Sequence, residues 1–155
     1  MMKQTILLVD DDAGVRRMLL RVLEEEGYVV LAAANGVEAL EMTVRRSPDL
    51  VLLDLNLPLQ NGWVTFEQLT SRHPFLPVII ITARPNQLFP ALASGAGALM
   101  EKPLDLPKLL RTICDLLAEP ARARSARVAG KAVEFHYLPP KRPQPVAQAV
   151  NHHDD

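Results

Sequence analysis

A chain of 155 residues, 48% hydrophobic and 23% charged, has the composition of one ordinary globular domain with a sizeable core. Its single cysteine, Cys114, excludes an internal disulfide and a cysteine-rich metal centre, which suits a reducing compartment. The net charge of −1 divides into −4 over residues 1–119 and +3 over residues 120–155. No apolar run approaches the roughly 18 residues of a membrane span, and Met1-Met2-Lys3-Gln4-Thr5 leads straight into a strand pattern, so neither an anchor nor a signal peptide is expected.

Ile6-Leu7-Leu8-Val9 is a continuous aliphatic run ending in Asp10-Asp11-Asp12, the pattern of a strand buried on both faces and terminated by carboxylates. Val15, Met18, Leu19, Val22 and Leu23 then recur at helical spacing, with Asp12 as the N-cap, Arg16 and Arg17 on the solvated face, and Gly27 as the stop. Tyr28 to Ala33 is the next strand, Asn35-Gly36 a turn, and Val37 to Arg46 a helix expected to turn Val37, Leu40 and Val44 inward. Leu50-Val51-Leu52-Leu53-Asp54 is a third strand, again apolar until a carboxylate. A loop through Pro58 and Asn61-Gly62 follows, then a helix from Trp63 to about His73 with Phe66 and Leu69 inside. Val78 to Thr82 is β-branched throughout and ends in a hydroxyl. Between Pro85 and Ser94 the pattern predicts a weak helix beginning near Asn86. Ala98 to Glu101 is a fifth strand leading to Lys102-Pro103, and a helix from about Leu106 to Ala118 buries Leu109, Leu110, Ile113, Leu116 and Leu117, with Cys114 as a small core residue.

Strands alternating with helices imply βαβ units: a doubly wound α/β fold, five parallel strands with five helices, strand order 2-1-3-4-5. The carboxyl ends of parallel strands lie on one edge, so Asp10, Asp11, Asp54, Thr82 and Lys102 should converge there. Several carboxylates in one cleft repel one another, and a hard divalent cation with oxygen ligands relieves that cost; Mg²⁺ is the natural candidate, with Mn²⁺ as a substitute. One carboxylate could then act as a nucleophile toward phosphorus, with an ammonium neutralising charge and a hydroxyl donating to the transferring oxygens. Asp54, Lys102 and Thr82 fit those roles.

Residues 4–118 resemble the receiver domain of two-component response regulators, of the CheY-like stand-alone type. The resemblance rests on Val9-Asp10-Asp11-Asp12 with Arg16, the strand ending Leu53-Asp54, Leu57-Pro58 and Gly62 after it, Thr82-Ala83, Gly95-Ala96 and Lys102-Pro103. It implies that Asp54 accepts a phosphoryl group from a sensor histidine kinase or a histidine phosphotransfer protein. Asp10 and Asp11 would position Mg²⁺, with Asp54 and the backbone carbonyl of Asn56 as further ligands. Thr82 would bind the phosphoryl oxygens and Lys102 would pair with them, with a cis Lys102-Pro103 bond. Asn56 and Arg84, two residues beyond Asp54 and Thr82, would set how long the phosphoryl group lasts. Where the family usually has an aromatic residue, this chain has Leu99, which implies an altered output surface on the fourth helix, fifth strand and fifth helix.

Residues 120–155 carry five prolines, a basic run from Arg122 to Lys131 and the cluster Phe135-His136-Tyr137, and read as a mostly disordered tail. No helix-turn-helix or other folded output domain is legible after residue 119. The expected function is a cytoplasmic phosphorylatable switch, not an enzyme beyond self-phosphorylation and autodephosphorylation, that acts on an effector protein as a monomer or weak homodimer, with nucleic acid not expected as a partner. Two competing readings are a degenerate receiver used as a scaffold and a phosphatase of the haloacid-dehalogenase type. The latter needs a second acid two residues after the nucleophile, where this chain has Asn56.

Overall fold

The computed structural model describes residues 3–131 and 134–142. Five strands, β1 (Thr5–Val9), β2 (Val29–Ala33), β3 (Leu50–Asp54), β4 (Val78–Thr82) and β5 (Ala98–Glu101), alternate with α1 (Ala13–Glu25), α2 (Gly36–Arg45), α3 (Gly62–Arg72), α4 (Leu88–Ser94) and α5 (Leu106–Leu117). A sixth helix, α6 (Ala121–Val128), and a sixth strand, β6 (His136–Leu138), follow. All the strand pairs are parallel, in the order β2-β1-β3-β4-β5-β6.

Every residue of β1, β3 and β4 is buried, which is why these strands read as unbroken apolar runs. Alternate side chains feed two cores. Ile6, Leu8, Leu50, Leu52 and Ile79 pack with Leu19 and Leu23 of α1 and with Leu109, Ile113 and Leu116 of α5. Leu7, Val9, Val51, Leu53 and Ile80 pack with Ala39 of α2, Phe66 and Leu69 of α3, and Ala91 of α4. Helices α1 and α5 therefore cover one face, and α2, α3 and α4 the other.

Local chemistry sets the helix ends. Asp12 caps α1 by accepting from the amides of Gly14 and Val15, which lowers its pKa. A left-handed Gly27 closes α1, with the Tyr28 amide reaching back to the Leu23 carbonyl and the Gly27 amide to that of Glu24. Helix α4 starts at Leu88 instead of near Asn86, because Asn86 takes a left-handed conformation (φ 62°) that no helix can include. In α2 the inner face is Gly36, Ala39 and Thr43, and Val37 and Val44 are exposed, contrary to the periodicity reading. Close approach of α3 decides this: a Cβ on Gly36 would meet the Thr65 hydroxyl at 2.1 Å, so only the small-residue face fits. Cys114 likewise lies on the exposed side of α5, with Tyr28 Oη 3.5 Å from its sulfur.

The expectation of five strands, five helices and a disordered tail is corrected by α6 and β6, although residues 132–133 and 143–155 lie outside the described part. Without a following strand, β5 would be a sheet edge with unpaired backbone groups, and β6 pairs with it. Leu138 is only 5% exposed and joins the core with α5, and Phe135 packs on the opposite side. The polar helix α6 is held by ion pairing of Arg127 with Glu119, and Arg124 donates to the Leu116 and Leu117 carbonyls. No helix among the described residues is long and apolar enough to cross a membrane.

If β6 is packed as described, Leu138→Ala costs about 2 kcal/mol of unfolding free energy in urea titration, the lower end of a buried leucine truncation. A change below about 0.5 kcal/mol, typical of surface sites, would show that β6 adds nothing to the core.

Candidate functional site

Three strands deliver polar groups to one edge, and each is oriented by the same local device. Beyond the end of β1, a carboxylate oxygen of Asp10 accepts from the amide of Asp12 at 2.9 Å. At the end of β3, Asp54 Oδ1 accepts from the amide of Asn56 at 2.8 Å. At the end of β4, Thr82 Oγ1 accepts from the amide of Arg84 at 2.9 Å. In each case the side chain of residue i accepts from the amide two residues on, which restrains its rotamer and satisfies that backbone group as the chain turns away.

Asp10, Asp54 and Thr82 are buried to 2% exposure or less, whereas Asp11 is exposed. Carboxylate oxygens of Asp10, Asp11 and Asp54 lie within 4.8 Å of one another. Lys102, just past β5, places its Nζ 2.6 Å from Asp54 Oδ2 and 3.4 Å from Asp10 Oδ2. The Lys102–Pro103 peptide bond is cis. One ammonium thus pairs with two of the three carboxylates, Asp54 and Asp10. Burial, and next to it the Asp54 charge, push the Asp10 carboxyl up to about 6 against the pull of the Asp12 amide and Lys102. Burial works against the Lys102 ammonium, but its hydrogen bond with Asp54 and the attraction of Asp54 and Asp10 outweigh that and raise its pKa.

Asn56 and Arg84 also meet: an Arg84 Nη donates to Asn56 Oδ1 at 3.4 Å, and both are exposed at the mouth of the site. Leu99 does not join them. It is 1% exposed and packs in the core beneath α3 and α4. Arg16, read from sequence as a solvated residue, is half-buried and donates to the Asp10 carbonyl at 2.8 Å, bracing the turn that carries the acidic residues. Its position six residues past Asp10 gave no periodic signal, since that contact depends on how the turn folds back. Below Asp54, Gly62 lies against the backbone, where a Cβ would come 2.4 Å from Leu55 Cα. Trp63 stacks edge-on with Phe66 and donates to Gln87, which ties the loop after β3 to the start of α4.

The donor set is all oxygen and anionic in excess, which suits a hard divalent cation better than a soft one. A depression of about 560 Å³ lined by Asp49, Arg72, His73, Phe75 and Arg124 lies at the opposite edge of the sheet and shares no residue with the carboxylates.

Residues 6–114 match the family model of the response regulator receiver domain. Over 114 residues the chain is 42% identical to the response regulator MprA of Mycobacterium leprae, covering 72% of this chain and 50% of that one. The corresponding protein of Mycobacterium ulcerans is 40% identical over 118 residues, covering 75% and 51%. The chain thus spans about half the length of the curated relatives it matches. Among solved structures, a CheY-like receiver domain protein from Methanospirillum hungatei superposes with a TM-score of 0.72 at 30% identity, covering 75% of this chain and 94% of that one. The non-phosphorylated HemR receiver domain from Leptospira biflexa gives 0.72 at 31%, covering 76% and 97%. With the receiver-domain model covering the first five strands from Ile6 onward and all three strand ends that carry the carboxylates and the threonine, the chain belongs to the response regulator receiver domain family.

Proposed function

We propose that this chain is a phosphorylatable switch of two-component signal transduction, in which Asp54 accepts a phosphoryl group from a phosphohistidine of a sensor histidine kinase or phosphotransfer protein. The observation that carries this reading is Lys102 Nζ set 2.6 Å from one oxygen of Asp54, within a group of three converging carboxylates. A carboxylate oxygen of Asp54 attacks phosphorus; the new O–P bond forms as the N–P bond to histidine breaks, and the histidine nitrogen leaves with the electron pair. Lys102 neutralises charge on the transferring oxygens. The Thr82 oxygen already accepts from the Arg84 amide, so its O–H is free to donate to a phosphoryl oxygen. Asp10, Asp11, Asp54 and the Asn56 carbonyl would hold Mg²⁺, or Mn²⁺ in its place. When bound, the cation supplies positive charge that offsets both the carboxylates and the incoming phosphoryl group.

The outcome is a changed binding surface for an effector protein, in a cytoplasmic monomer or weak homodimer, and not turnover of an external substrate. The position two residues after Asp54 is Asn56, which lacks the acid a phosphohydrolase of the haloacid-dehalogenase type requires.

Incubation with Mg²⁺ and acetyl phosphate is expected to add one phosphoryl group by intact mass, and Asp54→Ala is expected to add none; addition to the alanine variant would refute the assignment. The exposure of Asn56 at the mouth, where it accepts from Arg84, supports a role in holding the water that hydrolyses the acyl phosphate. A hydrogen bond of about 1 kcal/mol corresponds to roughly fivefold in rate, so Asn56→Ala changes the phosphoryl half-life by that order, and an unchanged half-life removes the role.

The raised Asp10 pKa gives a pH dependence. In the metal-free protein the charged form of Asp10 is disfavoured by the fold, so it costs stability above pH 6, and that cost is absent below the ordinary value of 3.8. Mg²⁺ binds the deprotonated form. Its affinity, measured by calorimetry, should therefore be level above pH 6 to 7 and fall by up to about tenfold per unit below it. Equal affinity at pH 5 and 7.5 would show that no ligand of the ion titrates in this range, Asp10 included.

A further inference from the structure

The attachments of β6 converge on one short stretch of the chain. Its register sets His136, Tyr137 and Leu138 opposite Ala98, Leu99 and Met100. From β6, the Tyr137 hydroxyl donates to the Glu101 carboxylate. Just past β6, the Lys141 amide donates to the Pro103 carbonyl at 2.9 Å. These two anchors flank Lys102, the residue whose ammonium holds Asp54 and Asp10. The other end of the segment is tied elsewhere. Arg127 Nη1 donates to Glu119 at 2.9 Å, Arg127 is nine-tenths buried, and Arg124 donates to the last carbonyls of α5. One end is thus fixed on α5, and the other is fastened on both sides of a residue of the site.

Chemistry at Asp54 makes the second fastening conditional. A phosphoryl group there places new anionic oxygens between the carboxylate and the Lys102 ammonium, so the ammonium must pair farther out from β3. Glu101 and Pro103 are each one peptide bond from Lys102 and move with its backbone. β6 has little in reserve against such a shift. It is three residues long, Leu138 is its one fully buried side chain, Tyr137 is 45% exposed, and its first amide reaches the Gly97 carbonyl at a long 3.3 Å. Segments of this kind open locally at a small fraction of the global unfolding free energy.

We propose that β6 is a releasable strap over the edge of β5, docked while Lys102 pairs with the Asp54 carboxylate and loosened when a phosphoryl group draws Lys102 away; this rests on Asp54 being the phosphoacceptor. Release uncovers the backbone edge of Ala98–Glu101 and the apolar seat of Leu138. That surface takes an extended segment with one apolar side chain, by strand addition. The strap also supplies what β5 lacks: Tyr137 stands opposite Leu99, so an aromatic ring borders this face, carried by β6. Coupling of this kind is reciprocal, so weakening the strap favours the phosphorylated state.

The test uses the full chain with Mg²⁺ and acetyl phosphate, phosphoryl content being read by intact mass and amide exchange by NMR on the same sample. Exchange at His136 and Lys141 is expected to quicken at least about threefold on phosphorylation, while amides of α5 and the start of α6 hold their rates. Tyr137→Phe keeps the ring and the strand and removes only the hydroxyl bond to Glu101. It is expected to tighten the binding of beryllofluoride, a reversible phosphoryl mimic at Asp54, at least about twofold. Stoichiometric phosphorylation with unchanged or slower exchange at both amides overturns the strap and leaves the Asp54 reading intact. An unchanged beryllofluoride affinity in Tyr137→Phe overturns the coupling. No phosphorylation under any condition overturns both readings.

Discussion

A single ammonium shared by two buried carboxylates is the interaction on which this structure turns. Asp10 and Asp54 are 1% and 2% exposed, and unpaired charges at that depth would cost several kcal/mol each. Lys102 reaches both only because β1, β3 and β5 are parallel and end on the same edge, in the order β2-β1-β3-β4-β5-β6. A register slip of one residue would turn the Asp54 side chain to the other face of the sheet. The apolar packing of two cores against the sheet therefore does more than hold the fold: it fixes the register that brings residues 10, 54 and 102 together.

Around that pair, the backbone does most of the positioning. Asp10, Asp54 and Thr82 each accept from the amide two residues on, so the three side chains that face the edge are held by their own turns before any ligand arrives. Arg16 braces the first turn from behind, Gly62 lets α3 begin directly under the third strand's end, and the Trp63–Gln87 bond joins the second turn to α4. A site preset in this way spends little ordering entropy when charge develops within it. Lys102, the cation paired with two of its carboxylates, stands between the two residues to which the C-terminal extension is fastened.

The extension after α5 changes what that fastening means. In the alternating part of the fold, β5 would end the sheet and leave its edge to solvent or to a partner. Here β6 takes that edge and Leu138 fills a place in the core, while two of its bonds close on Glu101 and Pro103. The charged site and the covered edge then adjoin within residues 98–103.

Much of this was open to reading from the residues alone, for a definite reason. Strands buried on both faces must be apolar throughout, so β1, β3 and β4 appear as runs whose ends are marked by Asp10, Asp54 and Thr82; the βαβ alternation then implies a parallel sheet and a common edge. Helix faces were less legible where two orientations have similar apolarity: Val37 and Val44 of α2 are exposed because α3 admits only the small face at Gly36, and Cys114 points outward from α5. The strand β6 was not legible at all. Three residues have no period, and their burial depends on an edge contributed by residues 98–101. Arg124 and Arg127 look like any basic run until Glu119 and the end of α5 stand beside them. Sequence by itself determined what each strand end carries, because burial constrains composition locally. Tertiary structure alone decided which of those ends share an ammonium and what covers the last strand, because these are contacts between segments that chain order does not bring together.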